Sequence, residues 1–296
     1  MAKKNDHLVK AVADGVRVYA AVTTNLVNEA IRRHGCYHVA GAALGRTMTG
    51  ALLLAANLKN KEALTLSFDG HGPGPLGKVT ADAAPEGYVR GMVTDPKVEL
   101  PLNPLGKIDV GGGIGTDGLV TVTRFTGLRN PIVGSAAITD GEIADDITNY
   151  LYVSEQTPSS VGLGVLIAPD YHCLGAGGFI IQPMPDATEE NIGKLEKNLH
   201  AVKSISRMVE DGYDARGIIG ELLTGFAVDY LTETALAFRC PCSKKRIESV
   251  LMSLGRADLK SLVDDGHAEV VCHFCGETYE FDGEELETMY RMAMQD

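Results

Sequence analysis

No run among the 296 residues approaches the roughly 18 to 20 uncharged apolar residues that a membrane span needs. A membrane-spanning helix is excluded. Basic residues are scarce, 27 Lys and Arg against 39 Asp and Glu, which leaves a net charge of -12 with His neutral. Nucleic acid and other polyphosphates would be repelled by such a chain. The opening residues, Met1 to Asp6, lack the apolar stretch and small-residue cleavage site of a secretory leader, so a cytoplasmic location is expected. Internal repeats and low-complexity tracts are missing too. Cysteine is sparse: there are six, too few for a disulfide scaffold, and four of them fall between Cys240 and Cys275. In a reducing compartment such clustering reads as metal binding or redox chemistry.

What remains is a globular composition, 45% hydrophobic and 22% charged, with length for one large or two to three modest domains. His7 to Val22 reads as a hairpin turning at Asp14-Gly15, because a tight turn there needs positive φ. Thr24 to Lys59 reads as two helices, the first capped by Asn25 and ending before Gly35, the second largely buried from Val39 to Leu58. From Leu64 to Thr126, short antiparallel strands are split by glycine and proline clusters at Gly70 to Gly77, Ala84 to Gly87 and Gly111 to Gly118. Glu142 to Ser154 is a further helix, and Val161 to Ile167 and Gly178 to Ile181 are apolar β-branched runs around Pro169-Asp170.

Past Pro185 the texture changes. Thr188 with Glu189 and Glu190 starts a helix whose apolar positions Ile192, Leu195, Leu199, Val202, Ile205 and Val209 form one stripe, ended by Gly212. Ile218 to Phe226 and Val228 to Ala237 read as further helical pieces.

The strongest chemical signal is Cys240-Pro241-Cys242, then 29 residues, then Cys272-His273-Phe274-Cys275. Two close thiol pairs match a tetrahedral zinc site, since thiolates at roughly 2.3 Å satisfy the ion and each pair can reach it from one tight turn. Four unrelated buried thiols would not explain the spacing. Four cysteines fill the shell, which leaves His267 and His273 outside it. No position remains for water or substrate, so hydrolysis at the metal is disfavoured and the ion is structural or a sensor. Arg246 to Leu254 and Ala257 to Val263 read as short helices between the pairs, and Glu269 to Phe281 as a hairpin. A lobe this short rarely draws more than about 3 to 5 kcal/mol from its core, whereas structural zinc contributes on the order of 10 to 16 kcal/mol. Without the ion it should unfold, and oxidation of the ligands would remove the ion. Arg239, Lys244, Lys245 and Arg246 flank the first pair and would favour thiolate. From Cys240 onward there are 6 Lys/Arg and 12 Asp/Glu, a surplus that would expand a released lobe; an ordinary solvated surface explains these charges equally well.

Other signals are weaker. Gly113-Ile-Gly-Thr-Asp-Gly118 satisfies G-x-G-x-x-G, but Leu119 to Phe125 alternates like a strand where a dinucleotide site needs a helix, so a glycine-rich hairpin loop is expected. His34-Gly-Cys36-Tyr-His38 places a thiol between imidazoles; a cysteine at a helix junction with surface histidines is the simpler reading. Cys173 sits in an apolar context and reads as a buried small side chain.

The chain resembles the redox-regulated heat-shock chaperones known as 33 kDa chaperonins. The likeness rests on Phe238-Arg-Cys-Pro-Cys-Ser243, Val271-Cys-His-Phe-Cys-Gly276, Ser154-Glu-Gln-Thr-Pro158, Leu174-Gly-Ala-Gly-Gly-Phe-Ile-Ile-Gln-Pro183 and Gly41-Ala-Ala-Leu-Gly-Arg46, and extends over the whole chain. It implies an ATP-independent holdase, inactive when reduced and bound to one zinc ion through Cys240, Cys242, Cys272 and Cys275. Oxidation would form disulfides, here Cys240 with Cys242 and Cys272 with Cys275, release zinc, unfold the C-terminal lobe and destabilise the helical linker before it. The first bridge spans a single residue, so it needs a bend that Pro241 can assist. Apolar surface would then meet unfolding client proteins; without the resemblance, plain core packing explains the Ile192 to Val209 stripe.

The expected fold is α+β: a mixed strand and helix domain over 1–183, a redox-sensitive helical linker over 184–238 and a zinc-binding switch domain over 239–296. The expected partners are unfolding proteins and, by resemblance, a second copy in the active form, with no nucleic acid, membrane or nucleotide. No catalytic or further cofactor-binding residue is expected. A cytosolic enzyme with a purely structural zinc module is the competing reading; it predicts a polar pocket in the first domain and thiols that resist mild oxidant.

Overall fold

Asp14 and Gly15 take φ of 44° and 80°, as a type I′ turn requires, and join β1 (His7–Ala13) to β2 (Val16–Val22). Helices α1 (Thr24–His34) and α2 (His38–Ala55) follow. Asn25 does not cap α1, contrary to expectation. It lies inside the first turn, and the carboxylate of Asp6 accepts from the N–H groups of Asn25 (3.0 Å) and Leu26 (2.7 Å) instead. A carboxylate there also suits the positive end of the helix dipole. Gly35, at φ 60°, ends α1 in the left-handed conformation.

The computed structural model describes residues 5–70 and 74–294; Met1 to Lys4 of the opening segment, 71–73 of the Gly70 to Gly77 cluster and the last two residues of the expected switch domain lie outside that range. Strands β3 (Ala63–Gly70), β4 (Lys78–Ala83) and β5 (Tyr88–Val93) form a meander. It is completed, after the short helix α3 (Val110–Ile114), by β6 (Gly118–Phe125) and β7 (Ile132–Ala137). The G-x-G-x-x-G segment is therefore a helical turn leading into a strand, not a hairpin loop. Close backbone approach explains its glycine-rich surroundings: a Cβ on Gly70 or Gly74 would lie 2.0 Å from the carbonyl oxygen of Ile114.

Helix α4 (Ala144–Val153) precedes the hairpin β8 (Ser160–Ile167) and β9 (Cys173–Pro183). Thr188 caps α5 (Glu189–Ala201) as expected, its hydroxyl accepting from the N–H of Asn191. The stripe from Ile192 to Val209 is not one helix, however. Val202 is extended, and the chain restarts as α6 (Ile205–Glu210). Gly164 and Gly175 let α6 approach the sheet closely: a Cβ on either would meet the backbone of Ser206 at 2.6 and 2.3 Å. After α7 (Ala215–Leu222) comes a second correction. Val228 to Ala237, read as helical, contains β10 (Asp229–Ala235), an edge strand antiparallel to β1, and is followed by the two-residue β11 (Ala237–Phe238).

The strand orders are β10-β1-β2-β9-β8 and β11-β5-β4-β3-β6-β7. Helix α2 packs against both sheets and is buried on every face. Alternation on β2 and β9 splits the apolar residues: Tyr19, Ala21 and Ile180 join the α2 core, while Val18, Ala20 and Ile181 join a second core roofed by Leu195, Met208, Ile218 and Leu222 of α5 to α7.

The chain divides into two compact units, Met1–Arg239 and Cys240–Asp296. The second contains α8 (Lys244–Met252), α9 (Arg256–Asp265), the hairpin β12 (His267–Val271) and β13 (Thr278–Asp282), and α10 (Gly283–Ala293). The fold is α+β, as expected from the sequence.

Candidate metal centre

Two turns build the centre. Cys240 and Cys242 precede α8, whose first turn is capped by the hydroxyl of Ser243, the acceptor for the N–H of Arg246. Cys272 and Cys275 sit in the turn between β12 and β13, where the carbonyl of Cys272 accepts from the N–H groups of Cys275 (3.2 Å) and Gly276 (2.8 Å), with Gly276 at φ 68°. This winds the second pair around a single point.

The four sulfur atoms lie within 4.8 Å of one another. Cys240 Sγ is 3.8 Å from Cys272 Sγ, and Cys242 Sγ is 3.3 Å from Cys275 Sγ. A tetrahedron with metal–sulfur bonds of roughly 2.3 Å has edges of about 3.8 Å. The spacing therefore fits one metal ion held by four thiolates, and no other cluster of three or more His, Cys, Asp or Glu ligands is found among the described residues. His267 and His273 are exposed and lie outside the cluster.

Burial raises the pKa of Cys242 and of Cys275; neighbouring thiols add to the rise at Cys275, whereas at Cys242 hydrogen bonds from Tyr279 and Cys275 oppose it and Cys240 adds to it. A bound cation reverses this, because it stabilises thiolate outright. One group that the sequence did not single out takes part: the Tyr279 hydroxyl donates to Cys242 Sγ at 3.2 Å. Its only trace in the sequence is an aromatic at a half-buried strand position. Of the basic residues expected to favour thiolate, Lys244 instead pairs with Glu285 at 2.6 Å and covers the ring of Phe281. Arg239 lies over the ring of Tyr88.

The centre rests on a small core. Leu251, Ala268, Phe281, Leu286 and Met289 are buried in it, with Ile247, Leu262, Val270 and Tyr279 among the half-buried side chains around them.

The remaining cysteines are elsewhere. Cys36 is buried between α1 and α2, and Cys173 is buried at the start of β9; loss of solvent pushes each thiol up to about 12. His34 bonds the carbonyl of Gly91, and His38 bonds Glu99. Cys36 is thus the expected junction thiol, although its two histidines are half-buried.

The Hsp33 protein family model matches residues 6–282. The 33 kDa chaperonin of Bacillus subtilis (strain 168) is 48% identical over 285 residues, 95% of this chain and 97% of that protein. That of Listeria monocytogenes serovar 1/2a is 45% identical over 294 residues, covering 98% and 99%. The crystal structure of the 33 kDa chaperonin (heat shock protein 33 homolog) from Thermotoga maritima superposes with a TM-score of 0.90 at 33% identity, over 99% of each chain. By this family match, full-length likeness and shared fold, the chain belongs to the Hsp33 family.

Proposed function

We propose that this protein is a redox-switched molecular chaperone that holds unfolding proteins without ATP, and that it is not an enzyme. Cys240, Cys242, Cys272 and Cys275 are its zinc ligands and its switch. When bound, zinc supplies most of the folding free energy of residues 239–296. The observation that carries the reading is the convergence of four thiols in a unit with one small core, built on Leu251, Ala268, Phe281, Leu286 and Met289.

Oxidation joins Cys240 to Cys242 and Cys272 to Cys275. With peroxide, each thiol pair gives up two electrons and two protons, forming one S–S bond and reducing one peroxide to two waters. The ligands are consumed, the lobe loses its anchor, and the 184–238 linker follows. The linker is suited to this: Leu195 is the one buried residue of α5, so few apolar contacts hold that helix down. The released apolar surface binds clients through the hydrophobic effect, in the cytoplasm and as a homodimer. Cys36 and Cys173, buried and difficult to ionise, are not poised as nucleophiles.

The test treats reduced, zinc-loaded protein with peroxide at mildly raised temperature or with hypochlorite. Zinc release is read with a chromogenic chelator and client aggregation by light scattering, without nucleotide. Both should change together. Zinc release with unaltered client aggregation defeats the chaperone reading, and Cys272→Ser or Cys275→Ser with normal zinc retention defeats the ligand assignment.

A further inference from the structure

Unit 1 contains a cavity of about 420 Å³ at the C-terminal end of α2, within the roughly 300–1,000 Å³ of small-molecule sites. We propose that it binds a monocarboxylate carrying a short apolar tail, with Arg17 as the carboxylate receptor. The proposal is independent of the chaperone reading.

Sheet register assembles the receptor. Arg17 is opposite Gln182 and Tyr19 opposite Ile180 in the β2–β9 pair, so the two-residue period places all four on one face. Gln182 is 4% exposed. Its Oε1 accepts from Arg17 Nε at 2.8 Å, its Nε2 donates to Ser159 Oγ at 2.8 Å, and that hydroxyl donates to the carbonyl of Thr157 at 2.9 Å. This half-buried chain orients the guanidinium through neutral groups alone. Among the described residues no carboxylate pairs with Arg17, and its terminal nitrogens make no hydrogen bond.

The other charges lining the cavity are Arg124 and Glu155, and they cancel: Arg124 bonds Glu155 Oε1 at 2.6 Å, and the Tyr150 hydroxyl donates to the same oxygen at 2.5 Å. Gln156, the next residue, stands at φ 53°, a left-handed conformation costly for a residue with a Cβ and of the kind stored at functional sites. Lys10, opposite Tyr19 in the β1–β2 register, donates to the carbonyl of Ala56, next to Asn57 of the cavity lining. The local charge is therefore positive in a chain whose net charge is -12.

Two features select the ligand. A guanidinium with free terminal N–H groups receives a carboxylate by two parallel hydrogen bonds. Leu54 and Leu58, backed by the buried Leu53, Leu151 and Ile180, form the apolar part of an otherwise polar lining, and a bare phosphate would leave that part unused. Tyr19 donates to Asn57 Oδ1 at 2.7 Å, which leaves the Asn57 amide hydrogens available as further donors.

The test titrates full-length, reduced, zinc-loaded protein with hexanoate by calorimetry, beside hexanamide, which lacks the charge, and acetate, which lacks the tail. Hexanoate should bind at least about tenfold more tightly than either. Arg17→Gln should weaken it by about tenfold or more, and so should Gln182→Glu, which would give Arg17 an internal carboxylate. Both variants should keep the wild-type circular dichroism. A tripeptide ending in Leu, with free or amidated carboxyl, separates the sources. Tight binding of the free acid alone assigns the site to a chain terminus, and hexanoate binding without peptide binding assigns it to a small molecule. Equal binding of hexanoate and hexanamide, unchanged binding by Arg17→Gln, or no hexanoate binding below about 10 mM overturns the proposal. If both variants unfold, the comparison of hexanoate with hexanamide on the wild type still decides.

Discussion

Tyr279 donates to a sulfur that is also a candidate ligand, and outer hydrogen bonds of this kind tune both affinity and reactivity. Donation to a thiolate stabilises its charge and blunts it as a nucleophile. Tyr279→Phe removes one oxygen atom and keeps the ring in its half-buried place, so zinc affinity should fall by about 10- to 100-fold and peroxide should release the metal faster. A chelator competition assay reads the first and stopped-flow metal release the second. Asp146 is a second residue whose burial has consequences. It is fully buried and accepts from the N–H groups of Thr139, Asp140 and Ile143, the last held at φ 74° in a region unfavourable to a β-branched side chain. Burial raises its pKa although these three N–H groups pull it down. Its contribution to stability is thus fully present below the unfolded-state value and is lost as pH rises through the folded-state value. Asp146→Asn cannot ionise and loses acceptors, costing about 1 to 3 kcal/mol. The wild type's advantage over it, read from urea midpoints, should be largest below the ordinary aspartate range and shrink as pH rises above it. A constant advantage would contradict the assigned shift.

At the scale of elements, sequence pattern succeeded where the determinants are local and failed where a distant partner decides. The Asp14-Gly15 hairpin, the Thr188 cap and the β12–β13 hairpin each depend on a few adjacent residues. Strand β10 does not: Asp229 to Glu233 are all exposed, so no inside–outside alternation marks them, and pairing with β1 from the other end of the chain makes them a strand. The break between α5 and α6 was hidden for a related reason, since α6 is seated against the backbones of Gly164 on β8 and Gly175 on β9. The split leaves α5 fastened at Leu195. Leu195→Ala should remove about 2 to 5 kcal/mol of local stability. Amide exchange should then accelerate across Glu189–Ala201 while β9 keeps its protection, and the variant should bind clients at lower oxidant doses than the wild type. Faster exchange without easier activation would separate this helix from the switch.

For the whole molecule, the thiol centre was legible from spacing alone because two pairs of sulfur ligands have few other uses in a reducing compartment, whereas the Arg17 cavity was invisible because β2, β9, α2 and α4 bring its residues together only in three dimensions. The same contrast governs stability. Unit 1 has two extensive cores and a central helix buried on all sides, while unit 2 has one small core built on Leu251, Ala268, Phe281, Leu286 and Met289. A core of that size supplies no more than about 3 to 5 kcal/mol, against on the order of 10 to 16 kcal/mol from a structural zinc ion. Stripping zinc from reduced protein with a strong chelator should therefore collapse amide protection throughout α8 to α10 and the β12–β13 hairpin, while α2, β2 and β9 keep theirs. Restoring one equivalent of zinc under reducing conditions should bring the protection back. Full protection of α8 to α10 in the metal-free, disulfide-bridged protein would mean that this small core suffices, and the switch would have no energetic basis.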